Sequence, residues 1–144
     1  MLQCPDPREE AETIADRVQK LLAEGVEPRD VALIYGSVTH QKALWQQATA
    51  RGIPYFWVGR NQKSKSEVIK CGNVVRAANL GGFKGVEFRH VFVCGVNQID
   101  ERHVDDESTK RRLVYVALTR AIDRLTVTVS GAGEVGSAVI AAQA

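Results

Sequence analysis

An open, mainly parallel α/β sheet with helices on both faces is the fold this sequence predicts. Two patterns point to it. Short, wholly apolar runs such as Val31–Tyr35 and Val91–Val96 alternate with stretches of helical periodicity. Wholly apolar strands need cover on both faces, which is the habit of parallel sheets. The size agrees: 144 residues, 44% hydrophobic and 25% charged, suffice for one self-supporting core, so a single domain over 1–144 is expected.

The elements follow in order. Asp6 can cap a helix, Pro7 suits its first position and Glu9 completes a capping box. Ala11, Ile14, Ala15, Val18, Leu21 and Leu22 recur at helical spacing until Gly25 ends the run. Val31–Tyr35 reads as a strand, and a second helix spans roughly 39–51 before Gly52. Ile53–Val58 reads as a strand with Pro54 near its start. The polar stretch 59–72 reads as a loop, Val74–Ala77 as a strand, the Gly-interrupted Phe83–Phe88 as a turn, and His90–Val96 as a further strand. Asp105, Asp106 and Glu107 place negative charge at the head of a helix running to about Ile122. Leu125–Val129 is the last expected strand and Glu134–Ala142 a short terminal helix.

Composition removes several function classes. Nineteen Lys and Arg against seventeen Asp and Glu leave a net charge of +2, too weak a bias for a nucleic-acid clamp or polybasic membrane binder on charge alone. No apolar run approaches the ~20 residues that span a bilayer, and the N-terminus lacks the basic start and apolar core of a signal peptide. Cys4, Cys71 and Cys94 are odd in number and lack CxxC spacing. They predict neither a disulfide framework nor a zinc site, and a reducing, cytoplasmic compartment is expected. His40, His90 and His103 are scattered with no ligand partner nearby in sequence, so no metal site is expected.

Two phosphate-binding patterns fail on their context. Gly131-Ala132-Gly133-Glu134-Val135-Gly136 matches GxGxxG after a strand, but a dinucleotide fingerprint needs a further βαβ half and an acid about 20 positions on. Residues 137–144 do not supply them, and a flexible turn is the better reading. Gly59–Ser64 lacks the Gly directly before Lys-Ser/Thr that lets backbone N–H groups wrap a phosphate, so the chain has no P-loop.

One constellation does carry chemistry. Asn79-Leu80-Gly81-Gly82-Phe83-Lys84-Gly85-Val86-Glu87-Phe88 precedes one strand, and Lys110-Arg111-Arg112-Leu113-Val114-Tyr115-Val116-Ala117-Leu118-Thr119-Arg120-Ala121 precedes another. At about 100° per residue, Arg120 falls about 160° from Leu118 on a helix, so Leu118 can face the core while Arg120 points away. An outward arginine on a rigid element is what a phosphate-stabilising finger requires, although most outward arginines are merely solvated.

FKGVEF followed by a strand and then RRLVYVALTRA resembles the C-terminal motor motifs of the UvrD/Rep-like superfamily 1 DNA helicases. The entry helix, Val31–Tyr35 and Gly52-Ile53-Pro54-Tyr55 extend the resemblance over roughly 8–130. It implies a RecA-like domain of P-loop NTPase type that lacks its own P-loop. It implies the second motor domain of an ATP-dependent helicase or translocase, with ATP and Mg²⁺ bound only together with a P-loop-containing first motor domain. Single-stranded or partly duplex DNA is the implied partner. Residue by residue, Arg120 falls at the arginine finger and Glu87 at the acid near the nucleotide sugar. Gly85 permits the turn that presents Glu87, while Lys84 and Arg112 support the nucleotide segment or the interdomain seam.

Three departures accompany the match. Gly36 stands where the family usually carries a second phosphate-sensing arginine. Asn79 and Gly81 stand in the places of a Thr and a His used in motor coupling and strand contact. Only the stretch 59–83 separates Val58 from Lys84, so the family's large inserted subdomain is missing. These changes support an alternative: a degenerate, non-motor module that keeps the fold and binds protein or nucleic acid.

Overall fold

The computed structural model describes residues 2–4, 6–57, 72–79, 87–95 and 107–130. Lys84, Gly85, Gly81 and the expected terminal helix at 134–142 lie outside the described residues.

Among the described residues, six parallel strands form one sheet in the order β1-β6-β5-β2-β4-β3. They are β1 (Leu2–Cys4), β2 (Val31–Tyr35), β3 (Tyr55–Trp57), β4 (Val75–Asn79), β5 (Phe88–Cys94) and β6 (Ala121–Ser130). Among the described residues the helices are α1 (Pro7–Ala23), α2 (Val38–Ala50) and α3 (Glu107–Leu118), with one turn of 3-10 helix at Pro28–Asp30. The α/β class read from the sequence therefore holds.

Local chemistry explains the helix starts. Asp6 caps α1 by accepting from Glu9 N at 2.9 Å, with Pro7 in the first turn as expected. Ser37 caps α2, accepting from His40 N at 3.2 Å, so the helix begins slightly earlier than its apolar spacing suggests. Every residue of β2 is buried. Its side chains alternate between two cores, as the pleat requires. Val31, Leu33 and Tyr35 join Phe92, Cys94, Val75 and Ala77 under α1 and α2. Ala32 and Ile34 join Val91, Val93, Val127 and Val129 under Val114 and Ala117 of α3. Helices thus cover both faces of the sheet.

Three sequence expectations are corrected. β1 was not expected: three residues carry no periodicity, and Leu2–Cys4 becomes a strand only by pairing with Thr128–Ser130. The expected strand at 53–58 starts at Tyr55 rather than Ile53 and is described to Trp57, with Val58 outside the described residues. The last helix ends at Leu118 rather than near Ile122. Its final turn closes through Thr119 N to Tyr115 O at 3.1 Å and Arg120 N to Ala117 O at 3.2 Å. The next carbonyl is already taken by the sheet, since Arg120 O accepts from Phe88 N at 2.9 Å. Ala121 then pairs with Phe88, and β6 begins four residues before the apolar run Leu125–Val129 announces it.

Candidate functional sites at the two edges of the sheet

The expected site residues separate between the amino and carboxyl edges. Glu87 immediately precedes β5 and Arg120 immediately precedes β6. The Phe88 N to Arg120 O hydrogen bond makes their backbones neighbours at the amino edge. Glu87 is exposed and Arg120 half-buried. Arg120 stands on the turn after α3, not on the helix, and its Nη2 lies 3.4 Å from Thr119 Oγ1. Its backbone is nonetheless fixed, because a strand ladder holds the carbonyl while the helix end holds the amide. Arg112 is exposed on α3 about 9 Å along the helix axis from Leu118. The Arg89–Asp123 ion pair, 2.8 Å and largely exposed, joins the same ends of β5 and β6. On the α1 face an open cleft is lined by Asp16, Arg17, Lys20, Glu24 and Arg124 over Phe92. Its charges nearly balance, and none of the expected site residues lines it.

Asn79 ends β4 at the carboxyl edge, level with Tyr35 and Cys94. Strand β5 puts that edge roughly 20 Å from Glu87 at about 3.3 Å per residue. Gly36 lies there too, its N–H donating to Cys94 O at 3.2 Å.

The carboxyl edge also holds a polar cluster that sequence reasoning missed. Glu10 from α1 and His40 from α2 are completely buried, with Glu10 Oε2 2.7 Å from His40 Nε2. Ser37 Oγ is 2.6 Å from His40 Nδ1, and Glu10 Oε1 accepts from Gly95 N at 3.1 Å. With its proton on Nε2, His40 donates to Glu10 and accepts from the Ser37 hydroxyl, which in turn accepts from His40 N. Gly95 is required on two counts. Its φ is +69°, and a Cβ there would stand 2.4 Å from His40 Nε2.

Cys94 completes the cluster. Burial first, and then the Glu10 carboxylate, push its thiol far above the ordinary range. The Thr128 hydroxyl lies against that thiol and counteracts the rise. It still falls short of a proper hydrogen bond, and Thr128 Oγ1 is buried with no partner among the described residues. The scattered-histidine reading therefore changes for His40. Glu10 lies 30 positions from it in sequence, a separation that no local motif registers.

Residues 75–128 match the family model of the UvrD-like helicase C-terminal domain, a stretch that includes Asn79, Glu87, Arg112 and Arg120. Among solved structures, the chain is similar to the C-terminal domain of a possible DNA helicase from Lactobacillus plantarum WCFS1. The TM-score is 0.63 at 21% identity, over 91% of this chain and 73% of that one. It is also similar to the Pyrococcus furiosus Hef helicase domain, with TM-score 0.61 at 9% identity over 94% of this chain and 28% of that one. A third likeness is to the C-terminal part of the Fun30 ATPase domain, with TM-score 0.52 at 9% identity over 83% and 40%. No curated protein matches.

The fold is accordingly that of the RecA-like C-terminal domains of helicases. The resemblance to UvrD-like helicases read from the motifs is upheld by the family match. Among the described residues no helix is long and apolar enough to cross a membrane.

Proposed function

We propose that this chain is the second motor domain of an ATP-dependent DNA helicase or translocase, lacking the large inserted subdomain. In this reading it lends an arginine finger and part of the nucleotide and single-strand surfaces to a P-loop domain elsewhere. The observation that supports the reading is the backbone link between Phe88 and Arg120, which makes the exposed Glu87 and the half-buried Arg120 neighbours along the backbone on one edge. A carboxylate suits a ribose hydroxyl. A guanidinium suits the charge that develops on a γ-phosphate, which is worth several kcal/mol in nucleotide hydrolases. ATP and Mg²⁺ would be held chiefly by the partner domain, because this chain has no P-loop to cradle phosphates or supply a Ser/Thr ligand. Asn79, at the opposite edge, would face the nucleic acid strand, with Lys84 and Gly85 supporting the nucleotide segment.

Arg120→Ala in the intact protein tests the reading. It should lower kcat on the order of 10³-fold with little change in nucleotide affinity, because the finger acts on transition-state charge. Arg120→Lys should not rescue it, since a point charge cannot reproduce the planar fork. The chain alone should show no steady ATP turnover. A kcat within a few-fold of the parent would instead favour the second reading, a degenerate module without motor activity. Gly36 supports that alternative, because it leaves no guanidinium at the end of β2.

A further inference from the structure

We propose that Glu10, His40 and Cys94 form a zinc-binding site at the carboxyl edge of the sheet, a three-ligand metal centre joining α1, α2 and the end of β5, with a water molecule as the fourth ligand. The three side chains come from three separate elements. Their donor atoms, a carboxylate oxygen, an imidazole nitrogen and a sulfur, lie within 4.8 Å of one another, and all three residues are buried. Sulfur, nitrogen and oxygen together suit Zn²⁺, whereas Mg²⁺ and Ca²⁺ prefer oxygen alone.

The surroundings match what zinc ligands require. Metal-bound histidines have their second ring nitrogen held, and here Ser37 Oγ stands 2.6 Å from His40 Nδ1. The second oxygen of Glu10 is fixed by Gly95 N at 3.1 Å. Thr128 Oγ1, completely enclosed and without a partner among the described residues, lies against Cys94. A Cys94 thiolate would give that hydroxyl the acceptor it lacks.

Charge and protons also balance. Zn²⁺ with one thiolate, one carboxylate and a neutral imidazole sums to zero, so no net charge is buried. Binding releases one proton, from the Cys94 thiol. The imidazole keeps its proton but moves it to Nδ1, where it donates to Ser37 Oγ. Zinc–nitrogen and zinc–oxygen bonds of ~2.0–2.1 Å set tetrahedral ligands about 3.3 Å apart. Glu10 Oε2 and His40 Nε2, at 2.7 Å, must therefore part by roughly half an ångström on coordination.

Cobalt substitution of the full metal-free chain tests the site. One equivalent of Co²⁺ should produce a near-ultraviolet sulfur-to-cobalt charge-transfer band together with the visible bands of tetrahedral cobalt. Zn²⁺ should displace the Co²⁺ and raise the thermal midpoint by several degrees. Cys94→Ser should abolish the charge-transfer band, while a Cys4→Ser/Cys71→Ser double variant keeps it. Should Cys94→Ser fail to fold, Glu10→Gln serves in its place. It preserves shape and the hydrogen bond from Gly95, and should weaken Co²⁺ affinity on the order of 10–100-fold. Absence of the band from the parent chain in tenfold excess of Co²⁺, or its persistence in Cys94→Ser, overturns the proposal. Unchanged affinity in Glu10→Gln does the same.

Discussion

The two edges of the sheet are built on opposite plans. At the carboxyl edge, Glu10, His40 and Cys94 are enclosed, and each side chain is held by a different element. At the amino edge, Glu87 is exposed, Arg120 is half-buried, and the Phe88 N to Arg120 O hydrogen bond makes their backbones neighbours. The first arrangement holds helices to the sheet. The second sets charged groups at or near the surface. Burial separates the polar residues of the two edges better than residue type does: one carboxylate and an imidazole are fully enclosed, while the other carboxylate is exposed near a half-buried arginine.

Substitutions can break or sharpen that contrast, and a chelator in the buffer keeps bound metal from masking their effects. His40→Ala should be the most damaging. It strips Glu10 of its imidazole partner in a site without solvent, and removing one member of a buried pair costs about 3–5 kcal/mol. Urea denaturation should show this as a lowered midpoint. A loss below about 1 kcal/mol would mean that the cluster does not hold the fold.

Gly95→Ala should follow at about 2–4 kcal/mol. The new Cβ meets the imidazole, and φ at +69° is strained for any side chain. The same titration reads it, and combining the two substitutions sharpens the result. With His40 already Ala, the added cost of Gly95→Ala should fall to the backbone strain alone, about 1 kcal/mol.

Arg120→Ala should sit at the other extreme. Its backbone contacts do not need the side chain, and the polar contacts of a half-buried side chain contribute little, so stability should change by no more than about 1 kcal/mol. The substitution expected, on the proposed function, to lower turnover on the order of 10³-fold should therefore barely shift the unfolding midpoint of this domain. A loss above about 2 kcal/mol would make Arg120 a structural residue and erase the contrast between the edges.

Much of the architecture was legible because its causes are local. Asp6 and Pro7 mark the start of α1, and its apolar spacing marks the buried face: Ala11, Ile14, Ala15, Val18 and Leu21 are all enclosed. The wholly apolar β2 announces a strand covered on both sides, and it is. Glu87 and Arg120 were legible for another reason. Their motifs resemble known helicase motifs, and the family match covers both. That each motif precedes a strand was legible; that Arg120 lies off the helix and bonds through its carbonyl to Phe88 was not, since helical spacing alone carries α3 past Arg120.

The sequence by itself determined the α/β class, the limits of α1, the apolar strands at the centre of the sheet, the lack of a P-loop and the residues worth testing. Those features depend on side-chain periodicity, capping and dipeptide chemistry within a few positions of the chain. Only the tertiary structure decided the rest. Strand β1 exists because Thr128–Ser130 offers it hydrogen-bonding partners. Helix α3 stops at Leu118 because Phe88 captures the carbonyl of Arg120. Glu10 meets Gly95 across 85 positions of sequence, and His40 across 30. In each case the deciding hydrogen bond joins groups far apart along the chain. Its worth depends on exclusion of water by the whole fold, and no local pattern of residues encodes that.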